Sequence, residues 1–177
     1  YSDTAPYDCP KSKLILANAC EVLGNEKIKK DMWGSIQCLA LLATGNPNYL
    51  PKVREYARAI APQTLKLAPE DGMSMGVWEW GYKNLFLCEY YLITGDKEVL
   101  HAIKECTVAL AKGQSMYGTY GHGTSQPAED GGLHGSIPAY GALNQAGLIA
   151  NLAIIMGKKC GVKDPEVDPA IWRASKF

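Results

Sequence analysis

LCEYYLITGDKEVL, at residues 87–100, is the stretch that decides the fold, because LALLATGNPNYL at 39–50 repeats its pattern. A shift of 50 residues places Thr44-Gly45 on Thr94-Gly95 and brings further apolar positions into coincidence. A period of this length is typical of chains in which one supersecondary unit buries its apolar face on its neighbours. Each unit is predicted as a helix, a tight turn, a second helix and a long loop. The predicted fold class is therefore all-α, made of helical-hairpin repeats.

Capping and breaking residues divide the chain into seven predicted helices. Ser12, Asp31 and Asp96 have side chains that can accept hydrogen bonds from the open amides of a helix N-terminus, so each is predicted as an N-cap. Prolines and glycines supply the ends of the helices. No strand is predicted. The predicted helices cover about 12–23, 31–43, 47–61, 79–93, 96–112, 139–156 and 168 onwards.

A third unit follows the first two, with Gly157 predicted at its turn. Aligning Gly157 with the turn glycine of the second unit puts Asn151 in the place of Glu89 and Asn144 in the place of Tyr82. Residues seven apart lie on one face of a helix. We therefore expect two polar stripes, one of Tyr82 and Glu89 and the other of Asn144 and Asn151.

Length and charge limit the classes of partner. The 177 residues suit one domain, 1–177, and lysine plus arginine equals aspartate plus glutamate at 18 each. Residues 113–157 contain no lysine or arginine, which argues against phosphate or polyanion binding there. No apolar run reaches the roughly 18 residues of a membrane span. Neither nucleic acid nor a membrane is expected as a partner.

The six cysteines show no C-x-x-C spacing, which argues against a zinc ribbon or a thioredoxin-like redox motif. Four of them lie in apolar helical patterns and are expected as small buried side chains. Cys9 and Cys160 lie in loop-like sequence and are the candidates for oxidation. The four expected to be buried are Cys20, Cys38, Cys88 and Cys106.

Four sequence segments resemble those of a known family: LALLATGNPNYL, LCEYYLITGDKEVL, GQSMYGTYGHG and YGALNQAGL. They resemble the α/α-toroid clan, the barrel of helical hairpins shared by terpenoid cyclases, protein prenyltransferases and many polysaccharide-active enzymes. More narrowly, they are similar to a family of large, often exported bacterial proteins whose toroid domain has no assigned function. The resemblance runs from about Ser12 to the end of the chain.

The resemblance implies that the chain is the N-terminal half of a toroid within a larger, exported protein, whose remainder is then a partner. A start without methionine and an end at Phe177, inside a predicted helix, fit the same expectation. The D-x-D-D motif of squalene-cyclase-like enzymes and the D-D-x-x-D motif of class I terpene synthases are both absent. His122 and His134 lie twelve residues apart with no cysteine between them. We therefore expect no metal and no cofactor.

Glu89 is the only charged residue in LFLCEYYLI, 85–93. A carboxylate on a helix that is apolar on every side must be paired, face a wet cavity or hold its proton. One interpretation places Glu89 and Tyr82 on inner helices that face a central cavity. The other is a satisfied carboxylate within the core.

The glycine-rich stretch 113–141, GQSMYGTYGHGTSQPAEDGGLHGSIPAYG, holds two of the three histidines. Its glycines permit turns with positive φ, and its tyrosines offer flat faces to sugar rings. His122 is the candidate general acid or base, with Glu129 or Asp130 as its partner. Alternatively, the stretch is a packed loop that covers the mouth of the toroid.

The candidate catalytic residues are Glu89, His122 and His134. The sequence contains no G-x-S-x-G, no P-loop and no H-E-x-x-H motif. The candidate ligand-binding residues are aromatic or amide side chains: Trp78, Trp80, Tyr82, Gln114, Tyr117, Tyr120, Tyr140, Asn144 and Asn151.

The leading functional expectation is a carbohydrate-active or carbohydrate-binding domain with a concave site, whose ligand is a saccharide or another small neutral molecule. This rests on analogy between folds together with the aromatic and carboxylate content. The alternative is a non-catalytic scaffold or interaction domain of a larger multidomain protein. A terpenoid- or lipid-handling relative needs acidic clusters that the sequence lacks.

Overall fold

The computed structural model describes residues 9–63, 75–134 and 144–176. This part of the chain is predominantly helical, which confirms the all-α prediction. The helices are α1 (Pro10–Asn25), α2 (Met32–Ala43), α3 (Leu50–Ile60), α4 (Gly76–Thr94), α5 (Leu100–Lys112), α6 (Asn144–Lys159) and α7 (Val167–Lys176).

Short elements complete the fold. Single 3-10 turns, Pro47–Tyr49 and Lys97–Val99, lead directly into α3 and α5. Two strands of two residues each, β1 (Gln126–Pro127) and β2 (Leu133–His134), pair antiparallel within the glycine-rich stretch. The prediction that the chain contains no strand is therefore wrong at this small hairpin.

Two of the three predicted N-caps are confirmed. Asp31 accepts a 3.0 Å hydrogen bond from the Gly34 amide at the start of α2. Asp96 accepts a 3.2 Å bond from the Glu98 amide, and so caps the 3-10 turn that leads into α5. Ser12 is not a cap, because α1 begins at Pro10 and its N-cap is Cys9.

The helices pack in two layers. The first layer consists of α2, α4 and α6, with α4 in the middle in contact with both neighbours; α3, α5 and α7 form the second layer. The helices α4 and α6 run parallel, since Gly81 lies against Ile149 and the Asn84 side chain donates to the Ala153 carbonyl further along α6. The core lies between the layers and includes Phe86, Leu87, Ile103, Leu110 and Ile154.

The first helix differs from the others because none of its residues is buried. The side chains of Leu14, Ile15 and Leu16 are all exposed. Its C-terminal end is nevertheless attached to α2, where the Gln37 side chain donates a 2.8 Å hydrogen bond to the Leu23 carbonyl. Thus α1 adds little to the core.

The turn after α6 is at Gly161, so the prediction of a turn at Gly157 is wrong. Gly161 has φ of 95°, like Gly45 and Gly95 at the ends of α2 and α4, and this left-handed conformation favours glycine. Gly157 lies inside α6, where a Cβ atom would come within 2.0 Å of the Thr107 hydroxyl. Glycine is needed there because α5 and α6 approach closely, not because the chain turns.

This correction changes which residues correspond across the first layer. Aligning Gly161 with Gly95 is a shift of 66 residues, which puts Ile155 in the place of Glu89 and Leu148 in the place of Tyr82. The predicted polar stripe of Asn144 and Asn151 is therefore not equivalent to that of α4.

The first layer exposes an apolar face on the side that the second layer leaves uncovered. Leu148 is 70% exposed there, and the other members of this face are also exposed. Exposed apolar side chains that gather on one face often mark a surface to which another molecule or segment binds. The apolar face consists of Leu92, Ile93, Leu148, Leu152 and Ile155.

No helix among the described residues is both long and apolar enough to cross a membrane.

Candidate functional site

Glu89 lies in a groove of the first layer. The groove measures about 440 Å³, and Glu89 is its one charged lining residue. The side chain is half-buried and makes no hydrogen bond or ion pair within the described ranges. The carboxylate therefore interacts with solvent at the edge of an aliphatic surface. The remaining lining residues are Leu39, Leu42, Ala43, Leu85, Ile93 and Leu152, from α2, α4 and α6.

The aromatic candidates of α4 lie at its other end. The rings of Trp78 and Tyr82 are stacked, with centroids 6.4 Å apart and planes at 18°. Trp80 is buried. The indole N–H groups of Trp78 and Trp80 are buried and make no hydrogen bond to a described residue. These side chains lie in the N-terminal half of α4, whereas Glu89 lies in its C-terminal half.

His122 belongs with the N-terminal end of α4 and not with Glu89. Its carbonyl accepts a 3.0 Å hydrogen bond from the Val77 amide, which fixes the glycine-rich stretch on the first turn of the helix. Twelve residues separate Val77 from Glu89, and at about 1.5 Å per residue this is roughly 18 Å along the helix axis. The structure does not bring Glu89 and His122 together.

Gln114 holds the glycine-rich stretch to the last hairpin. Its side-chain nitrogen donates to Asn151 Oδ1 at 2.9 Å and to the Ala170 carbonyl at 3.1 Å, and its side-chain oxygen accepts from Arg173 Nε at 2.8 Å. The Asn151 amide also donates to the Gly118 carbonyl at 3.1 Å. Gln114 is buried and its polar atoms are bonded inside the fold, while its role in ligand binding stays a prediction.

Tyr120 is likewise structural. Its ring is completely buried, and its hydroxyl donates a 2.6 Å hydrogen bond to the Leu110 carbonyl. Burial raises the pKa of this hydroxyl far above its usual range, against a smaller opposite effect of Arg173. The ring therefore has no exposed face in this structure, and its stacking on a ligand stays a prediction.

The small hairpin brings Tyr117, His134 and Asp130 together at the surface; we call these three residues the hairpin cluster. His134 Nε2 lies 2.9 and 3.0 Å from the two carboxylate oxygens of Asp130. The Tyr117 ring is 57% exposed and meets the His134 ring edge-on, with centroids 5.6 Å apart. Met116 donates its amide hydrogen to the Leu133 carbonyl and so joins Tyr117 to the hairpin.

Asp130 is the hydrogen-bond acceptor of this cluster. Its pKa is lowered, first because its carboxylate accepts the Gly132 amide hydrogen and second because of its hydrogen bond to His134. The carboxylate remains largely exposed. The sequence suggested Asp130 as the partner of His122, whereas the structure pairs it with His134.

Two further candidates, Tyr140 and the side chain of Asn144, lie outside the described residues. In the part of the chain that is described, no three or more histidine, cysteine, aspartate or glutamate side chains gather in a way that could hold a metal ion.

Sequence reasoning missed Lys83, which is only 5% exposed. Its ammonium donates a 2.7 Å hydrogen bond to the Gln63 carbonyl. Burial lowers its pKa. It lines a pocket of about 90 Å³ together with Ser35, Tyr56 and Glu79. The signal was available, because Lys83 lies two residues before the same apolar run that made Glu89 conspicuous.

Comparison with known proteins gives one match. A family model described as a domain of unknown function (DUF6288) matches residues 12–177. No curated protein and no solved structure matches the chain.

Proposed function

The chain belongs to this family of unknown function, and from its geometry we propose that it is a carbohydrate-binding domain whose saccharide lies against the hairpin cluster. The observation that carries the proposal is the exposed Tyr117 ring beside a hydrogen-bonded pair of His134 and Asp130. An aromatic face supplies apolar contact for the C–H side of a sugar ring. A carboxylate and an imidazole beside it can hydrogen-bond to the sugar hydroxyls.

Charge also favours a neutral ligand at the hairpin cluster. The sequence from Gly113 to Gly157 carries no lysine or arginine, so a phosphate or sulfate group has no cation to pair with in this stretch. The Asp130 carboxylate repels an anion and accepts hydrogen bonds from hydroxyl groups. A neutral oligosaccharide satisfies both conditions.

Binding is favoured over hydrolysis. Glycoside hydrolysis generally uses two carboxyl groups on either side of the scissile bond. Asp130 is engaged with His134 and Gly132, while Glu89 lies in an aliphatic groove of the first layer and has no contact with the hairpin among the described residues. The cluster offers one carboxylate, which suits recognition.

The proposal extends to the architecture of the domain to which these helices belong. A first layer of α2, α4 and α6, backed by α3, α5 and α7, is the arrangement expected of three consecutive hairpins in an α/α toroid. In such a toroid the apolar face of the first layer lines the interior, and the hairpin cluster lies at one rim. The family resemblance further implies an exported bacterial protein, which would meet polysaccharides outside the cell.

The test is affinity electrophoresis of the chain in native gels that contain one soluble polysaccharide each, from a panel of neutral and acidic polymers. We expect retardation by at least one neutral polymer. Replacing Tyr117 by alanine removes the aromatic face and should weaken binding about tenfold, which corresponds to roughly 1.4 kcal/mol. Asp130→Asn should also weaken binding, because an amide group is a poorer acceptor than a carboxylate.

Trp33→Ala is the matched control. Trp33 is an exposed aromatic residue on α2, so its loss removes a ring of similar exposure from another part of the surface. The proposal is rejected if Trp33→Ala weakens binding as much as Tyr117→Ala does. It is also rejected if no neutral polymer retards the wild-type chain. Circular dichroism on each variant establishes that the fold is retained.

A second candidate, an interaction domain of a larger protein, is supported by the apolar face. We propose the remainder of the full-length protein as the occupant, because a toroid closes by packing further hairpins beside its first ones. The groove with Glu89 in its wall then lies inside the assembled ring. This candidate is compatible with saccharide binding at the rim, since the two surfaces are separate.

Hydrogen exchange distinguishes the two surfaces. In the full-length protein, the amides of α2, α4 and α6 should exchange more slowly than in the isolated chain, whereas those of α1 should not change. Equal exchange in both forms rejects closure over the apolar face. A saccharide added to either form should slow exchange in residues 114–134 alone.

A further inference from the structure

Cys88 and Cys160 lie side by side although they are 72 residues apart in the chain. Cys88 is on α4 and Cys160 follows the last turn of α6. The Cys160 thiol donates a hydrogen bond to the Cys88 carbonyl oxygen at 3.7 Å, and the two thiols are close enough to shift each other's pKa. No other pair of cysteines among the described residues makes a contact of this kind.

The two thiols have different surroundings. Cys88 is completely buried, and its sulfur lies 3.8 Å from the Asn84 side-chain oxygen. Cys160 is half-buried, beside the exposed Gly161. A reagent in solution therefore reaches Cys160 first, because Cys88 has no exposed surface.

The ionisable groups around the pair favour the same order of reaction. The interaction between the two thiols lowers the pKa of Cys160 and raises that of Cys88. The neighbouring Lys159 ammonium acts in the same direction on Cys160, while burial and the Glu89 carboxylate oppose it. The thiolate is the reactive form of cysteine, so Cys160 is the nucleophile of the pair.

We propose that Cys88 and Cys160 form an intramolecular disulfide by exchange with a low-molecular-weight disulfide such as oxidised glutathione. The Cys160 thiolate attacks one sulfur of glutathione disulfide. The glutathione S–S bond breaks, and one glutathione thiolate leaves with the electron pair and takes up a proton. The result is a mixed disulfide at Cys160.

The second step closes the crosslink. Cys88 gives up its proton to solvent or to the departing thiolate, and its sulfur attacks the Cys160 sulfur of the mixed disulfide. The second glutathione leaves as a thiol. In total, two protein thiols pass two electrons to one glutathione disulfide, and a protein disulfide and two glutathione molecules result. The new bond links α4 to the turn between α6 and α7.

Three other cysteines provide the contrast. Cys106 is buried on α5, and burial raises its pKa to about 11. Cys38 is buried on α2, and burial raises its pKa to about 12. Cys20 is half-buried on α1. None of these three thiols hydrogen-bonds to a second cysteine among the described residues, so we expect exchange at any of them to stop at a mixed disulfide with glutathione.

The experiment exposes the complete chain to oxidised glutathione near neutral pH. Remaining thiols are then blocked, and peptides are identified by mass spectrometry without reduction. We expect one linked species that joins the Cys88 and Cys160 peptides, with the mass of both less two hydrogen atoms. Its formation should raise the thermal midpoint by several degrees, because the crosslink closes a long loop of the unfolded chain.

Variants at each position complete the test. Cys88→Ser should leave Cys160 as a stable mixed disulfide with glutathione, and Cys160→Ser should leave Cys88 as a thiol. Cys106→Ser is the control, because it removes a buried thiol and should leave the linked peptides unchanged. Wild-type protein in which Cys160 carries glutathione while Cys88 remains a thiol overturns the proposal, as does linkage of either residue to another cysteine.

Discussion

Gln114 donates a 2.9 Å hydrogen bond to Asn151 across 37 residues of sequence. This bond joins the glycine-rich stretch to α6, and the bond from Arg173 to the oxygen of the same side chain joins it to α7. One amide group therefore connects three separate parts of the chain. Gln114 thus attaches the beginning of the stretch to α6 and α7, whereas the side chains of the hairpin cluster lie at the surface.

The first prediction concerns this amide group. Gln114→Ala removes the acceptor of Arg173 Nε and the donor to Asn151 Oδ1 and the Ala170 carbonyl, and buried groups that lose a partner cost about 1–3 kcal/mol each. We expect the free energy of unfolding to fall by roughly 2–4 kcal/mol in a urea titration. Gln145→Ala, at an exposed position of α6, should change it by less than about 0.5 kcal/mol. Similar effects of the two substitutions would contradict the structural role of Gln114.

The second prediction compares two glycines with positive φ. Gly118 has φ of 85°, and a Cβ atom there would come within 2.5 Å of the Arg173 carbonyl oxygen. Gly131 has φ of 77° and nothing near the position of a Cβ atom. Gly131→Ala should therefore cost only the roughly 1–2 kcal/mol of a left-handed alanine. Gly118→Ala should cost clearly more in the same denaturation experiment, and equal costs would show that the contact with α7 is unimportant.

The third prediction concerns alkaline pH. Burial raises the pKa of Tyr56 to about 12, although its hydrogen bond to Ser35 acts in the opposite direction. In the unfolded chain the pKa is near the ordinary value of 10. The raised pKa therefore stabilises the folded state fully below about pH 10. This stabilisation is lost as the pH rises towards 12.

The measurement is the free energy of unfolding as a function of pH. Tyr56→Phe should lower stability near neutral pH, since Ser35 and the Asp31 carbonyl lose their partner, and should flatten the fall between about pH 10 and 12. Tyr117→Phe, with an exposed ring, serves as the comparison and should leave the profile as in the wild type. If Tyr56→Phe loses stability between about pH 10 and 12 as steeply as the wild type does, Tyr56 is not the cause of that loss.

The fourth prediction concerns Glu89. Leucine at this position would match the aliphatic groove around it, and the added burial of apolar surface is worth about 1 kcal/mol. We expect Glu89→Leu to stabilise the isolated chain by about that amount. Glu105→Leu, at an exposed position of α5, should give no gain. If Glu89→Leu destabilises the chain, the carboxylate has a structural role that its surroundings do not reveal.

Local chemistry made the helices predictable. Asp31 and Asp96 cap where their sequence context indicates, and Gly45 and Gly95 turn the chain where the repeated Thr-Gly pairs lie. These signals depend on residues within a few positions of one another. For that reason the all-α class could be recognised from the sequence.

The errors arose where a distant contact decides the role of a residue. Gly157 and Gly161 are both plausible turns in sequence, and only the approach of Thr107 shows that Gly157 is a packing glycine. The internal partners of Gln114 and Tyr120, which are Asn151 and the Leu110 carbonyl, likewise lie too far along the chain to be read from the sequence. Cys88 and Cys160 become neighbours because α4 and α6 run parallel, which no local pattern indicates.

The lack of any buried residue in α1 has a consequence for how the molecule unfolds. A segment that buries no side chain gains little from the cooperative core, so its opening costs less free energy than global unfolding does. Native-state hydrogen exchange should resolve α1 as a separate low-energy unit that opens well before the six remaining helices. A protease added under native conditions should accordingly trim the N-terminus and leave a resistant remainder that begins near α2.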